Sequence, residues 1–128
     1  MESLLHDPDI VQDFVTEATE RLDRIADWAL EAEQGGHEAL KELRRELHTL
    51  KGAAGFLGFD RFSELCHVLE EFLLKVAGDT GSADSFDAVH DACDLLREWV
   101  ELVETCCHSG RDLPEDTRSE GVRARLAG

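Results

Sequence analysis

One histidine is notable for its neighbours. His48 lies in the run Glu46-Leu47-His48-Thr49-Leu50-Lys51-Gly52-Ala53-Ala54-Gly55-Phe56-Leu57-Gly58-Phe59. A neutral imidazole is a nucleophile near neutral pH. A carboxylate hydrogen-bonded to one ring nitrogen presents the other for attack and steadies the positive charge that develops on the ring. Lys51, one helical turn on, is a point charge suited to phosphoryl oxygens. His67 and Glu70 follow at i, i+3 spacing. If the segments carrying them are adjacent and antiparallel, Glu70 is within reach of His48. The chemistry these types suggest is nucleophilic group transfer through the imidazole.

The glycines sharpen this reading. Gly52 and Gly55 interrupt a strong helix former, and each costs about 0.5–1 kcal/mol relative to alanine in a helix interior. On a helical wheel His48 lies roughly 130° from the apolar seam, and Gly52 lies nearly opposite the core. Bare backbone at 52 and 55, with only methyls at 53 and 54, gives another protein clearance to reach the imidazole. A frayed helix end would also tolerate glycine, but the apolar spacing continues regularly to Leu57.

Other uses of these residues fit less well. His48, His67 and Glu70 as a metal site would need a further ligand or an open position. No Ser or Cys nucleophile shows a base partner, and no glycine-rich loop has nucleotide-binding spacing. Cys66, Cys93, Cys106 and Cys107 form no CxxC pair and no zinc spacing. Cys66 and Cys93 fall at apolar periodic positions, where cysteine packs as a small hydrophobe.

The elements that must position the set read as helices throughout, for no stretch alternates as a strand would. Asp7-Pro8 is an N-cap with proline at the first helical position. Val11, Phe14, Ala18, Leu22, Ile25 and Ala29 then form one stripe, closed at Gly35-Gly36. A second helix spans about His37 to Leu57, with Leu40, Leu43, Leu47, Leu50, Ala54 and Leu57 as its seam. Gly58 ends it, and Asp60 can cap a third with Phe62, Leu65, Leu69, Phe72 and Val76 inside. After a turn cluster at Gly78 to Ser82, Ser82 or Asp84 can cap a fourth. Its seam is Phe86, Val89, Cys93, Leu96, Val100 and Val103, widened by Trp99 and Leu102. The expected fold is all-α, an antiparallel four-helix bundle over residues 1–108. Residues 109–128, with Pro114, are expected to be a C-terminal tail, a linker or a short fifth helix.

A chain of 128 residues fits one domain. The formal net charge of −16 disfavours nucleic acid and anionic membrane surfaces as partners. Residues 109–128 are neutral, so residues 1–108 hold all of that charge. Against it stands a basic island, Lys41, Arg44, Arg45 and Lys51, around His48. No apolar run approaches the ~20 residues of a spanning helix. The N-terminal segment has no basic leader, so the expected location is the cytoplasm.

The run from His48 to Phe59, together with His67-Val-Leu-Glu70-Glu71-Phe-Leu, resembles the phosphoacceptor signature of histidine phosphotransfer (HPt) domains. Among these it is most similar to the N-terminal domain of chemotaxis-type histidine kinases. Phe14-x-x-Glu17-Ala18 and Arg21-Leu22 resemble the first helix of that domain, and the likeness covers roughly residues 8–107. It implies an up-and-down bundle with a C-terminal extra helix. It also implies that His48 is phosphorylated, that Glu70 fixes its tautomer, that Lys51 and His67 line the phosphoryl site, and that Gly52 leaves room beside it. The phosphoryl group would come from ATP through a separate histidine kinase catalytic domain. It would pass to an aspartate of a response-regulator receiver domain in a two-component relay. Such a domain carries no nucleotide site, cofactor or metal of its own. The competing reading is a non-catalytic helical interaction module whose binding is indifferent to His48; the intact set of His48, Lys51, His67 and Glu70 favours the carrier.

Overall fold

The protein, as a computed structural model, is described over residues 4–77, 83–113 and 118–127. Helix α1 spans Pro8–Glu33, α2 His37–Phe56, α3 Asp60–Ala77, α4 Ala83–Ser109 and α5 Arg118–Ala127. No strand occurs among the described residues. The Asp7 side chain accepts from the Ile10 amide and Pro8 fills the first turn, as the Asp-Pro pair implies. Gly35 at φ +95° and Gly58 at φ +84° take the left-handed conformation that ends α1 and α2 and turns the chain back. Asp60 opens α3 from inside the helix, while the Phe59 carbonyl ahead of it accepts from the Ser63 amide.

The first four helices pack as an antiparallel bundle in which α1 touches both α2 and α4, and α2 touches α3. Ion pairs fix the direction of each neighbour. Arg21 and Arg24 of α1 reach Glu46 of α2, and Asp23 of α1 takes Arg97 of α4. Burial disfavours the charge on Arg21, but the hydrogen bonds it donates to Glu17 and Glu46, and their negative charges, outweigh that, so its pKa is raised. At the α2–α3 turn, Phe14 meets Phe59 and Phe62 edge-on at centroid distances of 5.2 and 5.7 Å. This contact ties the base of α1 to the turn that sets the α2–α3 spacing.

The seams of α1 and α2 are buried as their periodicity predicts. On α3 the buried face is wider and rotated. Phe62, Leu65, Cys66, Leu69 and Leu73 are fully buried, while Phe72 is only partly so. The helix contacts α2, α4 and α5, so no single narrow stripe suffices. On α4, Trp99 is buried but Leu102 is exposed at the rim, because the 100° step carries it beyond the covered arc. The Val76 side chain, the Gly78–Ser82 turn, the Ser82 and Asp84 caps and Pro114 lie outside what is described.

Residues 118–127 form α5, which lies on α3 and α4. Leu126 is buried, Arg123 pairs with Glu64 at 2.9 Å and Arg125 with Asp91 at 2.6 Å. Cys66 and Cys93 face the interior, and burial is the main force pushing both thiols up, Cys93 to about 12. Leu47, one residue before His48 and fully buried, anchors α2. Leu47→Ala is expected to lower the unfolding free energy by about 2–5 kcal/mol in a urea titration.

Candidate functional site

The site begins with the seam of α2. Leu43, Leu47 and Leu50 face the core, and the helical step then turns His48 outward; its side chain is 68% exposed. Because α3 runs antiparallel beside α2, Glu70 comes level with it. Glu70 Oε1 lies 3.1 Å from His48 Nδ1, and Glu70 Oε2 accepts from Lys51 Nζ at 3.0 Å. One half-buried carboxylate therefore holds both side chains. The contact selects the tautomer with the proton on Nδ1, leaving the Nε2 lone pair toward solvent. Among the described residues no hydrogen bond engages Nε2.

His67 lies on the exposed side of α3 and pairs with Glu71 at 3.2 Å. Glu70 does not hold it. With Lys51 and Gly52 it borders a groove of about 580 Å³ between α2 and α3. Among the described residues no group of three or more His, Cys, Asp and Glu could hold a metal ion.

The two glycines do different things. A Cβ at Gly52 would meet nothing within 4 Å, so the bare backbone faces open space. A Cβ at Gly55 would stand 3.4 Å from Ser63 Oγ, in ordinary contact with α3 rather than in open space. Ser63 Oγ in turn donates to the Lys51 carbonyl at 3.1 Å, tying α3 to α2 one turn beyond His48. Gly52→Ala is therefore expected to raise stability by about 0.5–1 kcal/mol by thermal melting, with no clash to oppose it.

The basic island is divided. Lys51 joins Glu70, Arg45 pairs with Glu42 at 3.4 Å, and Lys41 is exposed. Arg44 is half-buried, with an Nε that finds no partner. Two features beside the site escaped the sequence reading. Phe56, the last residue of α2, is 75% exposed, and Arg123 of α5 lines the groove beside Lys51 and Gly52. Leu57 followed by Gly58 marks where α2 ends and so hints that Phe56 lies at a rim. The polar sequence of α5 shows nothing of where it docks.

The arrangement is an exposed imidazole with one nitrogen held by a carboxylate, a cation one turn away and, among the described residues, an open groove beside it. It suits transfer to and from groups brought by another protein.

Comparison with known proteins agrees in kind. The Hpt domain family model matches residues 9–99. The "Chemotaxis protein CheA" of Halobacterium salinarum is 32% identical over 125 residues, covering 92% of this chain and 18% of its own length. The "Gliding motility regulatory protein" of Myxococcus xanthus is 31% identical over 94 residues, covering 72% of this chain and 12% of its own. The chain thus spans less than a fifth of those relatives. A crystal structure of the phosphorylated P1 domain of CheA3 in complex with CheY6 from R. sphaeroides shares the fold. Its TM-score is 0.74 with 94% of both chains covered, at 23% identity. With the family model matching well over half of its length, this chain belongs to the Hpt domain family.

Proposed function

We propose that the chain is the phosphoryl carrier of a chemotaxis-type two-component relay, with His48 as phosphoacceptor. The observation that carries the reading is the contact between His48 Nδ1 and Glu70 at 3.1 Å on an exposed helix face. In the first step Nε2 attacks the γ-phosphorus of ATP held by a separate histidine kinase domain. The N–P bond forms as the bond to the β,γ-bridging oxygen breaks, and ADP leaves with the electron pair. The ring becomes cationic, and the Glu70 carboxylate on Nδ1–H offsets that charge. In the second step a receiver aspartate oxygen attacks phosphorus, the N–P bond breaks, and the imidazole returns to neutral.

Lys51, held by the same carboxylate as His48, would offer its charge to the phosphoryl oxygens, and His67 borders the same groove. Gly52 leaves clearance for the partner backbone, so Gly52→Leu is expected to slow transfer although its side chain points into empty space. Among relatives, the structural neighbour is a phosphorylated P1 domain in complex with CheY6, and the sequence relatives are a chemotaxis protein and a motility regulator. Among the described residues no helix is long and apolar enough to cross a membrane; a cytoplasmic location completes the proposal.

The test is labelling with a cognate kinase domain and radiolabelled ATP, then a chase with receiver domains. An acid-labile, alkali-stable label that moves to a receiver is expected. A chain that binds its partners yet never takes label would favour an interaction module.

A further inference from the structure

Phe56 is an unusual place for a large apolar side chain. It is more exposed than any other large hydrophobic residue among those described, and it stands off an α2 seam that is itself buried. It stands eight residues beyond His48 on the same helix, about 12 Å along the axis. The ring is a ridge between two hollows. On one side lies the groove of about 580 Å³ that starts at Lys51 and Gly52 and runs past Val68 to Arg123. On the other is a hollow of about 200 Å³ floored by Ile10 and Phe14 of α1.

The chemistry of the two proposed reaction partners decides what covers this ridge. ATP presents its γ-phosphorus at the end of an extended triphosphate, so a kinase domain can stand off from α2. An aspartate carboxyl is two bonds from its own backbone. To reach phosphorus on His48, the receiver must bring its main chain down onto the helix face. A standard interface covers about 800 Å² on each partner, a patch about 16 Å in radius when centred on His48. Phe56 falls inside it. The groove beside the ring is edged by Lys51 and Arg123 together with Glu64; the two cations are held by Glu70 and Glu64 at 3.0 and 2.9 Å, near-surface pairs that an acidic opposing face can share.

We propose that Phe56 is the apolar anchor by which a receiver domain docks, with Arg123 on α5 a charged contact at the far end of the groove. This inference rests on the carrier reading above. It makes Phe56 a specificity-determining residue: a receiver with an apolar recess at the matching distance from its aspartate is accepted, and one with a polar surface there is refused.

The test uses the full chain, phosphorylated on His48 with phosphoramidate and freed of reagent. Receiver domains of the source organism are screened for one that accepts phosphate from the unaltered chain. Transfer rate is then measured against the concentration of that receiver. Phe56→Ala is expected to raise the half-saturating concentration about tenfold while the maximal rate stays within about twofold; Phe56→Leu recovers most of the loss. Arg123→Ala should raise the same concentration by a smaller factor, about threefold. An unchanged half-saturating concentration in Phe56→Ala overturns the anchor, and so does a loss confined to the maximal rate. If Phe56→Ala impairs labelling by the kinase domain but not the chase, the ridge serves the kinase and the proposal is wrong. If His48 takes phosphate and no receiver accepts it even from the unaltered chain, the carrier reading falls and this inference with it.

Discussion

His48→Gln is expected to abolish phosphate incorporation from ATP and a kinase domain, down to background, while the helical circular-dichroism signal and melting temperature stay where they were. The direction follows from where the ring sits. Its side chain is 68% exposed and its one described hydrogen bond is to Glu70, which keeps Lys51 as a partner when the ring is gone. Loss of an exposed side chain on a helix surface costs within about 0.5 kcal/mol. Glutamine keeps the polarity and about the length, but its amide nitrogen lone pair is delocalised into the carbonyl and cannot attack phosphorus. Label surviving in the variant, at any other residue, would separate the phosphorylation from this imidazole.

Glu70→Ala is expected to produce the second large effect, a slowing of phosphorylation by about 10–100-fold with the domain still folded. One carboxylate performs two tasks here: Oε1 holds His48 Nδ1 and Oε2 holds Lys51 Nζ. Without it the imidazole rotates and exchanges tautomers, its developing positive charge is uncompensated, and the Lys51 ammonium drifts from the site. The folding cost is modest, about 1 kcal/mol, because the pair lies near the surface and Lys51 can turn to water. The loss should fall on the maximal rate rather than on the ATP or receiver concentration needed. Glu70→Gln, which keeps an accepting oxygen but no charge, should land between the two. Equal maximal rates for all three chains would remove Glu70 from the chemistry.

How much of this could be read from sequence depends on the reach of each signal. The seams of α1 and α2 are local periodicities, and the residues they name are the residues buried. The same arithmetic puts His48 outside the α2 seam, and the structure has it there. The contact between His48 and Glu70 was readable only conditionally: it needs α2 and α3 antiparallel and in a register that Gly58, Gly55 and Ser63 set together. The α3 face was misjudged at Leu73 and Phe72, because a helix with three packed neighbours has no single narrow stripe. The two glycines looked alike in sequence and differ in space, one open and one against Ser63. Arg123 was invisible beside the site, for it arrives on α5 from more than fifty residues away in the chain.

The central claim is that Glu70 commits Nδ1 of His48 and thereby offers Nε2. The most direct measurement is nitrogen–phosphorus correlation NMR on the phosphorylated, nitrogen-15-labelled chain. The expected spectrum couples phosphorus to Nε2 of His48, with the Nδ1 proton retained and shifted by its carboxylate partner. Coupling to Nδ1, or to a nitrogen of any other histidine, would contradict it.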